Sequence, residues 1–368
     1  MFLDKLSLIN FKNYEEVKGR FSQEINCFVG KNGSGKTNLL DAIYYLCMTK
    51  SALTPQDHQC FKHEETVFSV KGEFELDEKK RVVVCGMQVG KKKLVKLDDK
   101  PYRKSSEHIG KFPVVLIAPN DTDVIRGNSD DRRKFFDAII SQTDQNYLKS
   151  LISYNHVLKQ RNSLLKQFSE RNYVDNDLLS QYDKELIELG KLIHGIRKKF
   201  IKNYQPKVTK HYLNLSEKSE KVDLVYESHY DLDIHTLIND SRQKDLILKR
   251  TSVGIHKDEF HFMMDGNLIR KFGSQGQQKS YLIALKLAQF DFIQKEKQLK
   301  PLLLLDDIFD KLDDFRISKL MEMVASDAFG QIFVTDARPE RTLGIFENIN
   351  HQVKIFEVDA GKIHELTT

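Results

Sequence analysis

The sequence has few cysteines, no long apolar run and no low-complexity segment, and each absence excludes a class of protein. Its four cysteines form no Cys-x-x-Cys pair, so neither a zinc site nor a disulfide framework is indicated. The longest apolar runs, such as Leu302 to Leu305, are far too short to span a bilayer. The first residues alternate like a strand and include Asp4, which is unlike a signal peptide. We therefore expect a folded cytoplasmic protein, and 368 residues suffice for one large or two ordinary domains.

The positive charges are unevenly distributed, although the formal net charge is only +5. Lysines and arginines are concentrated between Lys71 and Lys104, with a run at Lys91, Lys92 and Lys93. Such a run is commonly the solvated edge of a hairpin, where lysines keep strands from aggregating. It is also the pattern of a surface that contacts nucleic-acid phosphates. The sequence alone leaves both interpretations open.

The clearest local signal is the pattern Gly-x-x-x-x-Gly-Lys-Ser/Thr, which lies between a β-branched and aromatic run and an amphipathic helix pattern. Strand, glycine loop and helix is the order that a phosphate-binding P-loop requires. Glycines let successive backbone amides point at phosphate oxygens at a helix N-terminus. Lys36 is expected to reach the β- and γ-phosphates of ATP, and Thr37 to ligate Mg²⁺. The predicted ATP-binding residues are Gly30, Lys31, Asn32, Gly33, Ser34, Gly35, Lys36 and Thr37.

A P-loop needs an acidic partner at the end of a second buried strand, and the segment from Lys300 to Asp314 supplies it. Its four leucines predict a central strand that is buried on both faces and ends at Asp306 and Asp307. Asp306 is predicted to hold Mg²⁺ through water. The predicted magnesium-binding residues are therefore Thr37 and Asp306. Asp307 is predicted, with Lys36, as a catalytic residue that orients or deprotonates an attacking water.

A polar, glycine-punctuated turn precedes the acidic strand, at the start of a further helix pattern. It comprises Ser274, Gln275, Gly276 and Gln277, residue types that core packing does not require. This order resembles the ABC-type ATPases, in which a serine-glycine signature lies upstream of the acidic strand. The resemblance implies that two heads dimerise face to face and that each signature caps the γ-phosphate bound to the other. A helix N-terminus with free amides, a hydroxyl and a glycine suits an anion.

Further motifs resemble the RecF-like members of the SMC-related DNA-repair ATPases, in the same order along almost the whole chain. They are the segments from Leu6 to Glu16, from Ala118 to Asp137 and from Gly254 to Phe260. The resemblance implies ATP and Mg²⁺ as cofactors and an ATP-dependent homodimer that holds double-stranded, single-stranded or gapped DNA. It also implies RecR as a partner, with RecO, and the loading of RecA at gaps coated by single-strand binding protein. No membrane partner is expected.

Departures from the pattern of ABC transporters favour slow hydrolysis. Transporters carry a histidine after the strand that follows the acidic strand, whereas this chain offers Thr335 and Asp336. The Q-loop glutamine is not evident, and Asn120 or Asp121 occupies the corresponding region. Asp307 is also a shorter acid than the usual glutamate. We therefore expect at most a weak, DNA-stimulated ATPase in which hydrolysis resets a switch.

Between the ATPase segments the apolar residues recur at spacings of three and four, as in packed helices. One predicted helix carries Leu151, Leu158 and Leu165, and a second carries a longer series after a polar break. That series is Leu179, Tyr182, Leu186, Leu189, Ile193, Ile196 and Phe200. We predict an antiparallel arm of about 30 Å per helix, which is able to abut a duplex but too short to tether distant DNA.

The predicted fold class is α/β: an ABC-type ATPase head, in which helices flank a P-loop mixed sheet, with an inserted helical lobe and a short antiparallel helical arm. Residues 1–128 and 251–368 are predicted to form the head, and residues 129–250 the lobe. Arg132 and Arg133 open the lobe and join Lys91, Lys92 and Lys93 as candidates for DNA contact. The two arginines are equally candidates for ion pairs with Asp130 and Asp137.

Two competing functions remain open from the sequence. The first is an ATPase subunit of an ABC transporter, which is expected to carry a Q-loop, a switch histidine and a coupling surface for a membrane partner. The second is an adaptor without catalytic activity that uses ATP only as structural glue. The paired carboxylates at Asp306 and Asp307 argue weakly against the adaptor.

Overall fold

The computed structural model describes the chain except residues 172, 217–219, 309–313, 326–327, 339, 341–343, 345, 347–350 and 367–368, and except the side chains of residues 120, 314 and 325. The chain forms two compact units: unit 1 comprises Met1–Asp121 and Leu285–Thr368, and unit 2 comprises Thr122–Ala284. No helix of the described part is both long enough and apolar enough to cross a membrane.

The described strands and helices alternate in the manner of an α/β protein in unit 1, whereas helices dominate unit 2. The strands are β1 (Phe2–Phe11), β2 (Tyr14–Arg20), β3 (Ile25–Val29), β4 (Val67–Leu76), β5 (Lys79–Gln88), β6 (Leu94–Leu97), β7 (Lys100–Pro101), β8 (Val114–Ile117), β9 (Val222–Glu227), β10 (Glu259–Met264), β11 (Asn267–Leu268), β12 (Leu302–Leu305), β13 (Ile332–Asp336), β14 (Val353–Asp359) and β15 (Lys362–Leu366). The helices are α1 (Lys36–Met48), α2 (Thr122–Arg126), α3 (Ser129–Thr143), α4 (Gln145–Arg171), α5 (Asn176–Leu215), α6 (Ile234–Leu248), α7 (Ile269–Phe272), α8 (Gln275–Lys297) and α9 (Asp314–Ala325).

One sheet of unit 1 has the strand order β15-β14-β3-β13-β12-β8. Its strands are parallel to their neighbours except β15, which pairs antiparallel with β14. β3 and β12 are buried at every residue, as expected of central strands that are covered on both faces. Because the carboxyl ends of parallel strands meet at one edge, the residues that follow β3, β12 and β13 lie at a shared edge.

The second sheet of unit 1 is antiparallel, with the order β2-β1-β4-β5-β6-β7. α1 contacts β4 and β5 of this sheet as well as β8 and β13 of the parallel sheet. Its buried residues include Leu39, Leu40 and Ile43, so both sheets share the core that surrounds α1. The helix that follows the P-loop is therefore fixed by packing along its length.

In unit 2, α4 and α5 pack against each other as an antiparallel pair. Arg161 of α4 bonds to Asp183 of α5. Tyr147, earlier in α4, bonds to Arg197, later in α5, so the two helices run in opposite directions. The predicted length of about 30 Å per helix is wrong. With 27 and 40 residues the helices span about 40 and about 60 Å at 1.5 Å per residue.

The buried line of α5 differs from the predicted one because it contains polar residues. Four of the seven predicted residues are buried, whereas Tyr182, Leu189 and Ile196 are only half-buried. The buried four are Leu179, Leu186, Ile193 and Phe200. The second buried line consists of Asp183, Gly190 and Arg197, spaced seven residues apart. These residue types do not register in a search for apolar periodicity, so the sequence prediction chose the neighbouring positions.

Buried ion pairs join the helical pair to the rest of unit 2. Arg161, which is fully buried, bonds to Asp183 and to Asp245 of α6 at 2.6 and 2.7 Å. Arg197 bonds to Asp137 of α3 and to Asp258 at 2.8 and 2.7 Å. Removal of one partner from such a pair leaves an uncompensated buried charge, which is strongly destabilising. Each arginine therefore requires its aspartate partners on the neighbouring segments.

The predicted start of the second head segment at residue 251 requires correction, because residues 251–284 belong to unit 2. β10 pairs with β9 over its whole length, and β11 extends the same sheet. Asp258, which immediately precedes β10, also accepts a hydrogen bond from Arg197 of α5. The segment therefore completes the sheet and the buried ion pairs of unit 2. α8 begins in unit 2 and ends in unit 1.

Candidate nucleotide-binding site

The predicted P-loop lies between the end of β3 and the start of α1. Gly30, Gly33 and Gly35 have φ of 150°, 83° and 116°, a region that disfavours residues with a side chain. A Cβ at Gly30 would lie 2.4 Å from the carbonyl oxygen of Val358. The Nζ of Lys36 donates to the carbonyls of Gly30 and Lys31 at 2.7 and 3.0 Å, so its ammonium lies within the curl of the loop. This is the conformation that a phosphate-binding loop requires.

Residues of the opening motif hold the outside of the P-loop. The Tyr14 hydroxyl donates to the carbonyl of Gly35 at 2.9 Å, and Asn13 accepts from the Asn38 amide at 2.7 Å. A Cβ at Gly35 would lie 2.5 and 2.6 Å from the Asn13 and Tyr14 side chains. The sequence supplied this motif only as a family resemblance. Its support of the loop depends on a contact across 21 residues that no local pattern reveals.

The acidic strand meets the P-loop through a direct hydrogen bond. The Thr37 hydroxyl donates to the Asp306 carboxylate at 2.9 Å, and Asp306 is 4% exposed. Burial raises the pKa of Asp306, against the lowering effect of the hydrogen bonds from Thr335 and Thr37. A hydroxyl and a carboxylate are hard oxygen ligands of the kind that Mg²⁺ prefers, so these two residues fit a magnesium ion.

Thr335 links the Asp306 carboxylate to the backbone of Asp307. Its hydroxyl donates to Asp306 at 2.8 Å and accepts from the backbone N–H of Asp307 at 2.9 Å. Thr335 is fully buried on β13, which is adjacent to β12 in the sheet. From the sequence, Thr335 and Asp336 stand where transporters carry the switch histidine, so that this sensor was expected to be absent or replaced by a weaker one. In the structure the hydrogen bonds of Thr335 orient the Asp306 carboxylate and hold the backbone of Asp307.

The region predicted in place of the Q-loop contains an ion pair. The Lys286 ammonium bonds to the Asp121 carboxylate at 2.7 Å and to the carbonyl of Leu116 at 2.7 Å. Asp121 also accepts from the backbone N–H of Ala118. The side chain of Asn120 lies outside the described part of the chain. Asp121 thus stabilises the turn after β8.

The predicted signature begins α8, and it has a local role that the sequence prediction did not assign. The backbone N–H of Gln277 donates to the Ser274 hydroxyl, and the Gln277 side chain accepts from the backbone N–H of Ser274. This reciprocal arrangement is a capping box, which satisfies amides at a helix N-terminus. Ser274 and Gln275 are exposed, so the start of the helix is accessible to a ligand.

The structure contradicts the prediction that Arg132 contacts DNA. The Arg132 side chain is 3% exposed and bonds to the Glu259 carboxylate at 2.8 Å, so it has no surface to offer a phosphate. Arg133 donates to the carbonyl of Asp258 and lies 3.6 Å from Asp130. The predicted ion pair with Asp130 is therefore present for Arg133.

The predicted lysines on unit 1 also differ in availability. Lys93 bonds to Asp57 at 2.6 Å and to the carbonyl of Thr49, which restrains its ammonium. Lys91 and Lys92 are exposed in the turn between β5 and β6. Of the predicted run, these two lysines are oriented for contact with a ligand in solution.

Similarity to known proteins identifies the family. The family model described as RecF/RecN/SMC N terminal domain matches residues 2–364. The DNA replication and repair protein RecF of Flavobacterium johnsoniae is 49% identical, with 97% of this chain and 100% of that protein covered. The corresponding RecF of Cytophaga hutchinsonii is 46% identical over 99% of this chain and 97% of its own length.

Solved structures agree with the sequence relatives. A structure of the recombination mediator protein RecF with ATP, in the RecFOR pathway, has a TM-score of 0.90 and 29% identity, with 100% of this chain and 98% of that chain covered. An Smc head domain from Pyrococcus furiosus has a TM-score of 0.56 at 19% identity over 100% of this chain and 96% of its own, which shows a shared fold. The predicted α/β ATPase head with an inserted helical lobe is thereby confirmed. The chain belongs to the RecF family of SMC-like ATPases.

Proposed function

We propose that this chain is an ATP-dependent DNA-binding protein of recombinational repair. ATP with Mg²⁺ binds at the P-loop and induces a head-to-head homodimer, which clamps duplex DNA or single/double-strand junctions at gaps. The dimer acts with RecR and RecO in the loading of RecA, and slow hydrolysis reopens it. The observation that carries the proposal is the 2.9 Å hydrogen bond between Thr37 and Asp306, which joins the P-loop to the acidic strand across 269 residues.

Different residues of the site bind the phosphates, hold the magnesium ion and activate the attacking water. The glycine-rich backbone and the Lys36 ammonium hold the phosphates, because amide and ammonium donors match phosphate oxygens. Thr37 and Asp306 hold the magnesium ion, which supplies charge neutralisation at the phosphates when bound. Asp307 orients the attacking water and accepts its proton. Thr335 keeps Asp306 and the backbone of Asp307 in position through its two hydrogen bonds.

The signature completes the site of a second copy. The N-terminus of α8, a helix of 23 residues, carries a partial positive charge, and Ser274 at this end is exposed. A γ-phosphate presented by another head is a suitable ligand for these amides and for the serine hydroxyl. Ser274, Gln275, Gly276 and Gln277 are thus assigned to the phosphate in trans. Support for this assignment comes from the exposed capping box and from the resemblance to ABC-type heads.

Sedimentation equilibrium with and without ATP and Mg²⁺ tests the dimer. Lys36→Met is expected to weaken ATP binding and to prevent dimerisation, because the phosphates lose their ammonium partner. Ser274→Arg is expected to leave ATP binding by the monomer within about twofold and to abolish the dimer, because the added bulk lies only in the trans site. Ser163→Arg, at another exposed serine of unit 2, is the matched control and should dimerise normally. Normal dimerisation of Ser274→Arg would show that the signature does not act in trans.

Asp307→Asn distinguishes a hydrolytic switch from an adaptor that uses ATP as structural glue. An amide has no negative charge and cannot accept the proton of the attacking water, so the step costs on the order of a hundredfold or more in rate. We expect ATP to accumulate on a dimer that persists after free ATP is removed, as measured by size-exclusion chromatography and nucleotide content. Equal dimer lifetimes for the variant and the wild type would favour the adaptor.

A further inference from the structure

Unit 2 carries a group of basic side chains where three segments of the chain meet. Lys244 lies near the end of α6 and Lys249 and Arg250 directly follow it, Lys257 lies in the short turn before β10, and Arg133 lies on α3. All except Arg133 are exposed. These five residues are called the basic surface below. Of the five, only Arg133 was predicted from the sequence as a DNA contact.

Hydrogen bonds hold the segments of the basic surface together. A ring nitrogen of His256 lies 3.0 Å from the carbonyl oxygen of Thr251, so the turn that carries Lys257 is fixed against the end of the α6 segment. The Arg133 guanidinium donates to the carbonyl of Asp258 at 2.8 Å, which fixes it beside the residue that follows Lys257. The convergence of positive charges is therefore built into the fold of unit 2.

In the described part of the chain, the exposed members of the basic surface form no close ion pair. Among the residues that the structure describes, Lys244, Lys249, Arg250 and Lys257 form no ion pair within 4.0 Å. The carboxylate of the intervening residue, Asp245, is fully buried and bonded to a buried arginine, so its charge is already compensated. Four exposed positive charges thus face solvent without an acidic partner within 4.0 Å among the described residues.

The positive charges are close enough to affect one another. Burial lowers the pKa of Lys257, and the positive charges of Arg250, Arg133 and Lys244 lower it further, against the opposing effect of Asp245. Like charges that are held together destabilise each other in the free protein. An anionic ligand that fits between them relieves this repulsion.

A simpler explanation covers only part of the group. Cations at the C-terminus of a helix are stabilised by the helix dipole, which accounts for Lys249 and Arg250 at the end of α6. It does not account for Lys257 and Arg133, which belong to other segments. The antiparallel sheet of unit 1 differs in this respect, because carboxylates compensate many of its cations, such as Arg81 by Asp98 at 2.9 Å.

We propose that the basic surface contacts backbone phosphates of duplex DNA. The inference rests on the proposed function, which requires DNA binding, and it assigns the contact to residues of unit 2. Several uncompensated cations on converging segments suit a polyanion, which carries a charge about every 1.7 Å along the duplex. An acidic protein surface is the competing occupant, since Ile247 beside these cations is 80% exposed.

The test is the salt dependence of DNA binding by the full chain with ATP and Mg²⁺. The double variant Arg250→Gln/Lys257→Gln removes two charges from exposed side chains and should fold normally. Lys91→Gln/Lys92→Gln removes two charges from the exposed turn of unit 1, the other candidate surface for DNA, and shows whether that turn contributes as well. Fluorescence anisotropy of a labelled duplex, titrated at several salt concentrations, gives the slope of log affinity against log salt.

We expect the unit 2 variant to lower the magnitude of that slope by about 1.8, because each phosphate contact contributes about 0.9. Its affinity in 0.1 M salt should fall on the order of tenfold or more. Binding and slope equal to the wild type would overturn the inference and favour the acidic protein surface. A wild-type chain that binds no duplex, with or without ATP, would refute the proposed function itself. ATP binding and thermal stability of both variants should match the wild type.

Discussion

Thr335 offers the sharpest test of how the candidate site is organised. Its hydroxyl is the only polar group of its side chain and makes two hydrogen bonds, one to the Asp306 carboxylate and one from the backbone of Asp307. Thr335→Val preserves the shape of the side chain and removes both bonds. Thr335→Ser keeps the hydroxyl and removes only a methyl group. The pair of variants therefore separates the effect of the hydrogen bonds from that of packing.

The magnitude follows from the two contacts. A hydrogen bond to a charged acceptor contributes about 1.5–3 kcal/mol, and the part-buried N–H of Asp307 left without its acceptor costs up to about 1–3 kcal/mol. Groups that orient a metal ligand typically cost about 10–100-fold in metal affinity when they are removed. For Thr335→Val we expect at least about a tenfold rise in the Mg²⁺ concentration that half-saturates ATP binding. ATP binding in the presence of EDTA should change by less than about twofold.

The assay is the binding of a fluorescent ATP analogue, titrated with Mg²⁺ and repeated in EDTA. Val334→Ala is the control for lost stability, because Val334 is fully buried on the same strand and has no polar atom. Its cavity is expected to cost about 2 kcal/mol of stability without a change in Mg²⁺ dependence. If Thr335→Val showed the Mg²⁺ dependence of the wild type, the residue would not position the carboxylates.

Two further predictions concern stability. Gly190→Ala should cost about 1–3 kcal/mol, because the new Cβ would lie 1.8 Å from the Tyr230 hydroxyl, whereas Gly195→Ala, with no atom within 4 Å, should stabilise α5 by about 0.5–1 kcal/mol. Chemical denaturation measures both, and equal effects would contradict the reasoning. Burial lowers the pKa of His108 to about 4, and its ring lies 2.7 Å from the carbonyl of Leu46. The unfolded chain therefore binds the proton more tightly, and the contribution of His108 should lower stability by about 2 kcal/mol as the pH falls from 7 to 5. Because burial also lowers the pKa of His256 to about 4, His108→Gln should remove only its own share of the acid-induced loss.

Local signals were sufficient to predict the P-loop and the acidic strand. Gly30 and Gly35 have backbone conformations that favour glycine, and the leucines of β12 are buried at every position. Both features depend on residues within a few positions of each other, so a short pattern contains the necessary information. The start of the helix at Gln275 was likewise predicted from the polar turn before it, although its capping box was not recognised.

The partners of charged residues were not predictable in the same way. Arg132 appears in the sequence as one of several adjacent cations, yet it bonds to Glu259, 127 positions away. In α5 the sequence prediction selected apolar neighbours of the buried line, because a buried arginine or aspartate is stable only with a partner on another segment. Such pairing depends on the whole of unit 2.

The sequence by itself determined the nucleotide loop, the acidic strand, the family and the alternation of head and lobe, because backbone conformation and burial are imposed by residue types close together in the chain. Only the tertiary structure decided that the Thr37 hydroxyl donates directly to Asp306, that Thr335 orients the Asp306 carboxylate, and that residues 251–284 join the helical unit. These outcomes require parallel strands to align at a common edge and β10 to pair with β9. The physical reason is that hydrogen bonds and ion pairs between distant segments form only after the whole chain has packed.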